Sequence, residues 1–147
     1  MHRPRSPHRR ASVGIALLLV VASIASGCQV VPGPGTGPGQ AAIDGTAWRA
    51  VAVAGRAVLA EATPTIRFDG DRISGTTGCN TFGGMFELSG DRISFSELVM
   101  TEIGCGGAVG EQESRFLEAL LVVDRIEVGG GSLRLVGTQG SLDFVSG

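Results

Sequence analysis

From Asp44 onward, apolar and polar residues alternate in short runs separated by Gly and Asp, the period of half-buried β-strands. The runs fall at 46–54, 65–68, 72–77, 85–88, 92–95, 125–128, 132–136 and 141–145. Their inward candidates are Trp48 with a Val51/Val53 face, then Ile66, Phe68, Ile73, Phe86, Leu88, Ile93 and Phe95. Towards the end come Ile126, Val128, Leu133, Leu135, Leu142 and Phe144. The word Gly-Asp-Arg-Ile-Ser occurs at 70–74 and again at 90–94, each time after one strand and at the start of the next. It predicts one hairpin turn used twice, with Gly accepting the positive φ that such turns require. Gly129-Gly130-Gly131 and Thr138-Gln139-Gly140 predict two further turns. A single segment has helical spacing. Glu111-Gln112-Glu113 puts acids in a first turn, and Phe116, Leu117, Leu120, Leu121 and Val123 form a stripe, which predicts a helix over 111–123. The fold class expected is mainly β: a small antiparallel barrel-like or strongly curved sheet with one packed α-helix.

The first 43 residues follow a different pattern. Residues 1–10 are basic, 11–26 are apolar around Ile15 to Val21, and small residues precede Cys28. This is the layout of a secretory signal, and its apolar run is short for a bilayer crossing, which takes roughly 20 residues; an uncleaved N-terminal anchor and an ordinary signal peptide that leaves Cys28 unmodified are the alternatives. Ala25-Ser26-Gly27-Cys28 resembles the bacterial lipobox, with Ala25 at the position where that pattern has Leu. The resemblance implies a signal peptide over 1–27 and a diacylglyceryl group on Cys28. Two or three acyl chains would hold the protein stably at the membrane, on the extracytoplasmic side. Residues 28–43 carry Pro32-Gly33-Pro34-Gly35-Thr36-Gly37-Pro38-Gly39, which suits neither helix nor central strand and predicts a disordered spacer before a domain at 44–147.

Charge narrows the function classes. Without residues 1–27, eight arginines face fourteen acids, a net charge of −6. Nucleic acid would repel such a domain. That part of the chain has no Lys, His or Tyr, so most general bases that work near neutral pH are missing, and the plentiful serines have no base to complete a triad. No enzymatic activity, cofactor or metal is expected. Asp69-Gly70-Asp71 lacks the remaining ligands of a calcium loop and reads as a turn. The Gly-rich stretch 104–110 lacks the Lys of a phosphate loop and is followed by acids.

With Cys28 acylated, Cys79 and Cys105 remain in an oxidising compartment, and a disulfide between them is the leading expectation. Two buried thiols, or a redox-active or metal-binding pair, are the alternatives. Asn80 and Thr81 follow Cys79 in a Gly-rich turn and are either a polar pair at a ligand mouth or plain turn chemistry.

Trp48, the run Pro64-Thr65-Ile66-Arg67-Phe68, and above all Gly75-Thr76-Thr77-Gly78-Cys79-Asn80-Thr81-Phe82-Gly83-Gly84 resemble the META domain (HslJ-like) family. Met100-Thr101-Glu102-Ile103-Gly104-Cys105, the Glu113/Phe116/Leu117/Leu120 helix and Leu133-Arg134-Leu135 follow in matching order. The resemblance implies a small antiparallel β-barrel-like fold with a packed helix, no enzymatic activity, and a cell-envelope or stress context. The function expected is that of a monomeric, non-catalytic, lipid-anchored envelope domain with an envelope partner. The alternative is a carrier of a small apolar ligand in or at the mouth of the barrel, which needs a cavity of roughly 300 Å³ or more.

Overall fold

A computed structural model describes residues 39–147. The expected signal, Cys28 and most of the Gly/Pro-rich spacer lie outside the described residues. Nine strands and one helix follow in the order β1 (Ala47–Val53), β2 (Arg56–Ala57), β3 (Thr65–Asp69), β4 (Arg72–Thr76), β5 (Thr81–Ser89), β6 (Arg92–Met100), α1 (Gly107–Leu120), β7 (Val123–Gly129), β8 (Ser132–Gly137) and β9 (Gly140–Ser146). β1 and β3 to β9 pair with their neighbours in an antiparallel meander. β9 returns to β1 with Ala50 opposite Phe144, closing an eight-stranded barrel that carries β2 as a short addition to β1.

The turns follow from local chemistry. Asp69 opposite Arg72 and Ser89 opposite Arg92 close two-residue loops, Gly70-Asp71 and Gly90-Asp91. In each, the Gly holds positive φ (60° and 65°) and the Asp does not, as a type II′ turn requires. The repeated five-residue word is therefore the same hairpin turn twice.

Inward side chains fill the barrel. Phe68, Phe144, Ile66, Ile73, Ile126, Leu133, Leu135 and Leu142 are at most 1% exposed. Phe68 and Phe86 meet edge to face with centroids 5.0 Å apart, a geometry that aromatic rings favour. The helix lays Phe116, Ala119 and Leu120 on this core, and Phe116 contacts Phe82 at 5.9 Å.

Three boundaries and one side-chain orientation depart from the sequence pattern. The helix runs over Gly107–Leu120 rather than 111–123. Its first turn is built from Gly107-Ala108-Val109-Gly110, of which only Ala108 is a strong helix former. A Cβ at Gly110 would lie 2.2 Å from the Cys105 carbonyl, so the strap before the helix can pack there only against Gly. Val123, expected at the end of the helical stripe, is the first residue of β7. In β1 the register shifts between Ala50 and Ala52, so Val51 is the extra residue of a bulge and turns outward (40% exposed) while Val53 is buried. Ile43, assigned to the spacer, is completely buried in the core. The packed body thus begins with the 3₁₀ turn Gln40–Ala42, where Gln40 Nε2 donates to the Gly70 carbonyl at 2.8 Å.

β5 and β6 are longer than their alternation suggests. β6 carries a bulge in which Glu97 adopts φ 52° and Leu98 crosses to lie over Gly84. A Cβ at Gly84 would come within 2.8 Å of both Leu98 Cδ2 and the Ser96 carbonyl.

Candidate functional site

The specific residues of the sequence converge at one end of the barrel, where the turn between β4 and β5 meets the strap 101–106 and the start of α1. Thr77 N–H donates to the Asn80 carbonyl at 2.8 Å, and Asn80 N–H donates to Thr77 Oγ1 at 2.9 Å, closing the turn on itself. Gly78 sits at φ 95°, and a Cβ there would lie 2.1 Å from the Ala62 carbonyl. Only Gly fits both conditions. Cys79 and Cys105 are disulfide-bonded with Cα atoms 6.2 Å apart, which ties this turn to the strap.

Asn80 is 2% exposed, and its amide is fully engaged by the protein. Its Oδ1 accepts from Ile103 N–H at 2.7 Å and from Thr101 Oγ1 at 2.8 Å. Its Nδ2 donates to the Ile103 carbonyl at 3.0 Å and to Glu113 Oε1 at 2.9 Å. The same Glu113 oxygen accepts from Thr77 Oγ1 at 2.6 Å, and Thr77 is completely buried. One amide thus clamps turn, strap and helix together. A second amide does the same one position earlier on the helix. Gln112 (1% exposed) accepts from Leu59 N–H at 2.7 Å and donates to the Ala62 carbonyl at 2.6 Å. Thr81 is exposed at the start of β5, and its N–H donates to Thr101 Oγ1 at 3.1 Å. Cys79, Asn80, Thr81 and Cys105 are therefore neighbours. Thr77, Thr101, Gln112 and Glu113 complete the cluster; the sequence marked Gln112 only as a helix-opening polar residue, and the other three through the family resemblance without a contact.

A second feature lies beside this cluster. β6 and β7 share one ladder pair, Arg92 opposite Arg125, and Ile126 N–H donates to the Asp91 carbonyl at 2.9 Å. By register, the strand that would continue this ladder against Ser94 and beyond is replaced by the C-terminal end of α1. Phe82, Leu98, Val99, Met100, Leu117, Leu120 and Leu121 line a groove of about 200 Å³ in the resulting gap. Val99 and Leu121 are 71% and 69% exposed, and Ile103 and Met100 are also open to solvent. The alternation pattern did not mark this patch, because the bulge at Glu97 breaks the period. Among the described residues no group of three or more His, Cys, Asp or Glu is placed to hold a metal ion.

A META domain family model matches residues 41–146. A comparison with curated proteins gives no match. Among solved structures, the chain is similar to an NMR structure of a protein from Burkholderia xenovorans: 26% identity, TM-score 0.62, covering 86% of this chain and 99% of that one. A further NMR structure aligns with TM-score 0.62 at 22% identity, covering 74% of this chain and 94% of that one. A crystal structure of a DUF4847 family protein from Bacteroides vulgatus aligns at 12% identity and TM-score 0.55, covering 72% and 95%. These last two carry the fold alone. Over residues 41–146, with its Gly-Cys-Asn turn bonded to the strap before the helix, this chain belongs to the META domain family.

Proposed function

We propose that the protein is a non-catalytic, lipid-anchored binding module of the cell envelope, held by Cys28 on the extracytoplasmic side of a membrane and acting in an envelope or stress context. The observation that carries this reading is the state of Asn80. The most distinctive polar side chain of the domain spends its hydrogen-bonding capacity on Thr101, Ile103 and Glu113. A catalytic amide would keep a donor or acceptor for substrate. The absence of Lys, His and Tyr from residues 28–147 supports the same reading, because it leaves few groups to move a proton near neutral pH.

The carrier alternative draws on the apolar groove. At about 200 Å³ the groove is smaller than ligand cavities, which begin near ~300 Å³, and aromatic and aliphatic side chains fill the barrel interior. The groove suits one anchoring side chain better than a whole ligand.

Radiolabelled palmitate tests the anchor. Label should enter the wild-type protein, and incorporation that survives Cys28→Ser refutes the anchor. Native mass spectrometry of the purified protein tests the carrier alternative, where a co-purified small molecule would favour the carrier over the module.

A further inference from the structure

We propose that the free edge of β6, together with the groove beside it, is the docking site for an extended, basic segment of a partner polypeptide, which adds to the sheet as a strand. The inference deepens the binding-module reading and rests on it.

Three observations converge on this edge. The first is the backbone. β6 runs to Met100, yet its ladder with β7 is the single pair at Arg92, so among the described residues the segment from Ser94 to Met100 is paired on the β5 side alone. An unpaired strand edge is a template for another chain. Elsewhere the barrel closes on itself strand by strand, apart from the two-residue β2, which pairs with β1 alone.

The second is the groove. Its inner wall is the face of β6 that carries Leu98 and Met100, and its outer wall is the helix end that carries Leu117, Leu120 and Leu121. Strand addition places alternate side chains of the incoming peptide on the two faces of the sheet. One of them therefore falls into a slot already lined with apolar groups and sized for a single side chain. Val99 and Leu121, about 70% exposed, form a rim that such a peptide would cover. Exposed apolar groups clustered in this way on a charged domain mark an interaction surface.

The third is charge, which selects the occupant. Glu102 lies just past the exposed end of β6 and Glu118 is exposed on the helix turn between Leu117 and Leu121, while Glu97 at the bulge shares an outer cleft with Arg67, Asp69 and Arg72. None of the three is in a salt bridge among the described residues. A second copy docked edge to edge about the bulge would set the two Glu97 carboxylates against one another. An anionic lipid surface would be repelled likewise. A strand flanked by Lys or Arg meets complementary charge instead. The bulge at Glu97 fits this selection, since bulges and charges on an edge suppress self-pairing.

The test uses the full chain in phosphatidylcholine nanodiscs, labelled with [methyl-13C]methionine. The sequence has three methionines. Met100 lines the groove, whereas Met85 lies on the outer face of β5 and reports on the fold. Three synthetic peptides are titrated: one of alternating Leu and Thr with Lys at both ends, the same peptide with Glu at both ends, and the Lys peptide with a central Pro. The Lys peptide should shift the Met100 signal saturably, and the β6 amides from Ser94 to Met100 should become protected from hydrogen exchange. The Glu peptide should bind at least about tenfold more weakly at low salt. The Pro peptide should fail, since Pro removes a ladder donor. Leu121→Asp should abolish the shift while the Met85 signal keeps its position. Glu97→Lys should reduce the preference for the Lys peptide. Equal binding of the Glu or Pro peptide overturns the proposal, and so does a Met100 shift that follows protein concentration without peptide. Lack of any Met100 response overturns it too. Palmitate on Cys28 is measured in the same preparation, so loss of the docking claim and loss of the anchored-module reading are seen separately.

Discussion

Replacing Asn80 by Asp exchanges one NH₂ group for an oxygen in a side chain that is 2% exposed, with its size and shape kept. The lost group donates to the Ile103 carbonyl at 3.0 Å and to Glu113 Oε1 at 2.9 Å. In the variant an oxygen faces an oxygen at both places. The bonds that Oδ1 accepts from Thr101 and Ile103 are untouched. A hydrogen bond to a charged group contributes about 1.5–3 kcal/mol and a neutral one about 1 kcal/mol. Two carboxylates about 3 Å apart repel by up to ~5 kcal/mol at an effective dielectric near 20, before the side chains move apart. The net cost expected near neutral pH is about 3–5 kcal/mol, a large share of a typical stability of about 5–15 kcal/mol. The introduced carboxyl is held above its unfolded pKa, so the penalty is present above the folded value and fades as pH falls and the acid regains a donor. Urea unfolding followed by the fluorescence of Trp48, the one tryptophan, measures this directly. Asn80→Asp combined with Glu113→Gln puts an amide opposite the new carboxylate and should recover at least about half of the loss. An Asn80→Asp cost below about 1 kcal/mol refutes the clamp, as does a double variant whose cost is the sum of the two singles.

Two further outcomes follow from the same end of the barrel and from its rim. Cys79→Ser opens a loop with a sequence separation of 26, which the chain-entropy model values at about 3.5 kcal/mol. Its Tm should fall by roughly 10–20 °C. Reductant should lower the wild-type Tm by a similar amount and leave the variant unchanged, and a wild-type Tm indifferent to reductant would count against the bond. Ala54 holds φ 48° in the loop Ala54-Gly55 between β1 and β2. Ala54→Gly should stabilise by about 0.5–1 kcal/mol, because relief of left-handed strain exceeds the added freedom of the unfolded chain. A loss of stability in chemical denaturation would contradict this.

Much of the barrel was legible in the sequence because its strands are half-buried, and half-burial writes a period of two. The runs around Ile66/Phe68, Ile126/Val128 and Leu133/Leu135 fall within one or two residues of β3, β7 and β8. The pattern failed where the backbone departs from a regular ladder. Val51 is apolar and in phase with Val53, yet the bulge in β1 sends it outward. Ser96-Glu97-Leu98 loses the alternation at the bulge of β6, which hid the second half of that strand. Gly83 and Gly84 in β5 gave no apolar signal, since Gly84 is there to admit Leu98. The helix start was misplaced because three of the four residues from Gly107 to Gly110 are poor helix formers, and Gly110 packs against the strap at Cys105.

The amino-acid sequence by itself determined the repeated hairpin turn, most of the inward faces and the charge, and it made the Cys79–Cys105 pair the leading expectation among alternatives. Each of these is local in the chain or follows from counting. A repeated Gly-Asp turn and a period of two need no knowledge of distant residues. Only the tertiary structure decided what Asn80 does, because its partners Ile103 and Glu113 lie 23 and 33 positions away. It also decided that Gln112, polar and next to Glu111, turns inward to hold Leu59 and Ala62. The free edge of β6 has the same origin. No residue in 94–100 announces a missing neighbour, since an edge is defined by the strand that fails to arrive. Here that place falls to the end of α1, at a distance that a pairing register sets and a local pattern does not record.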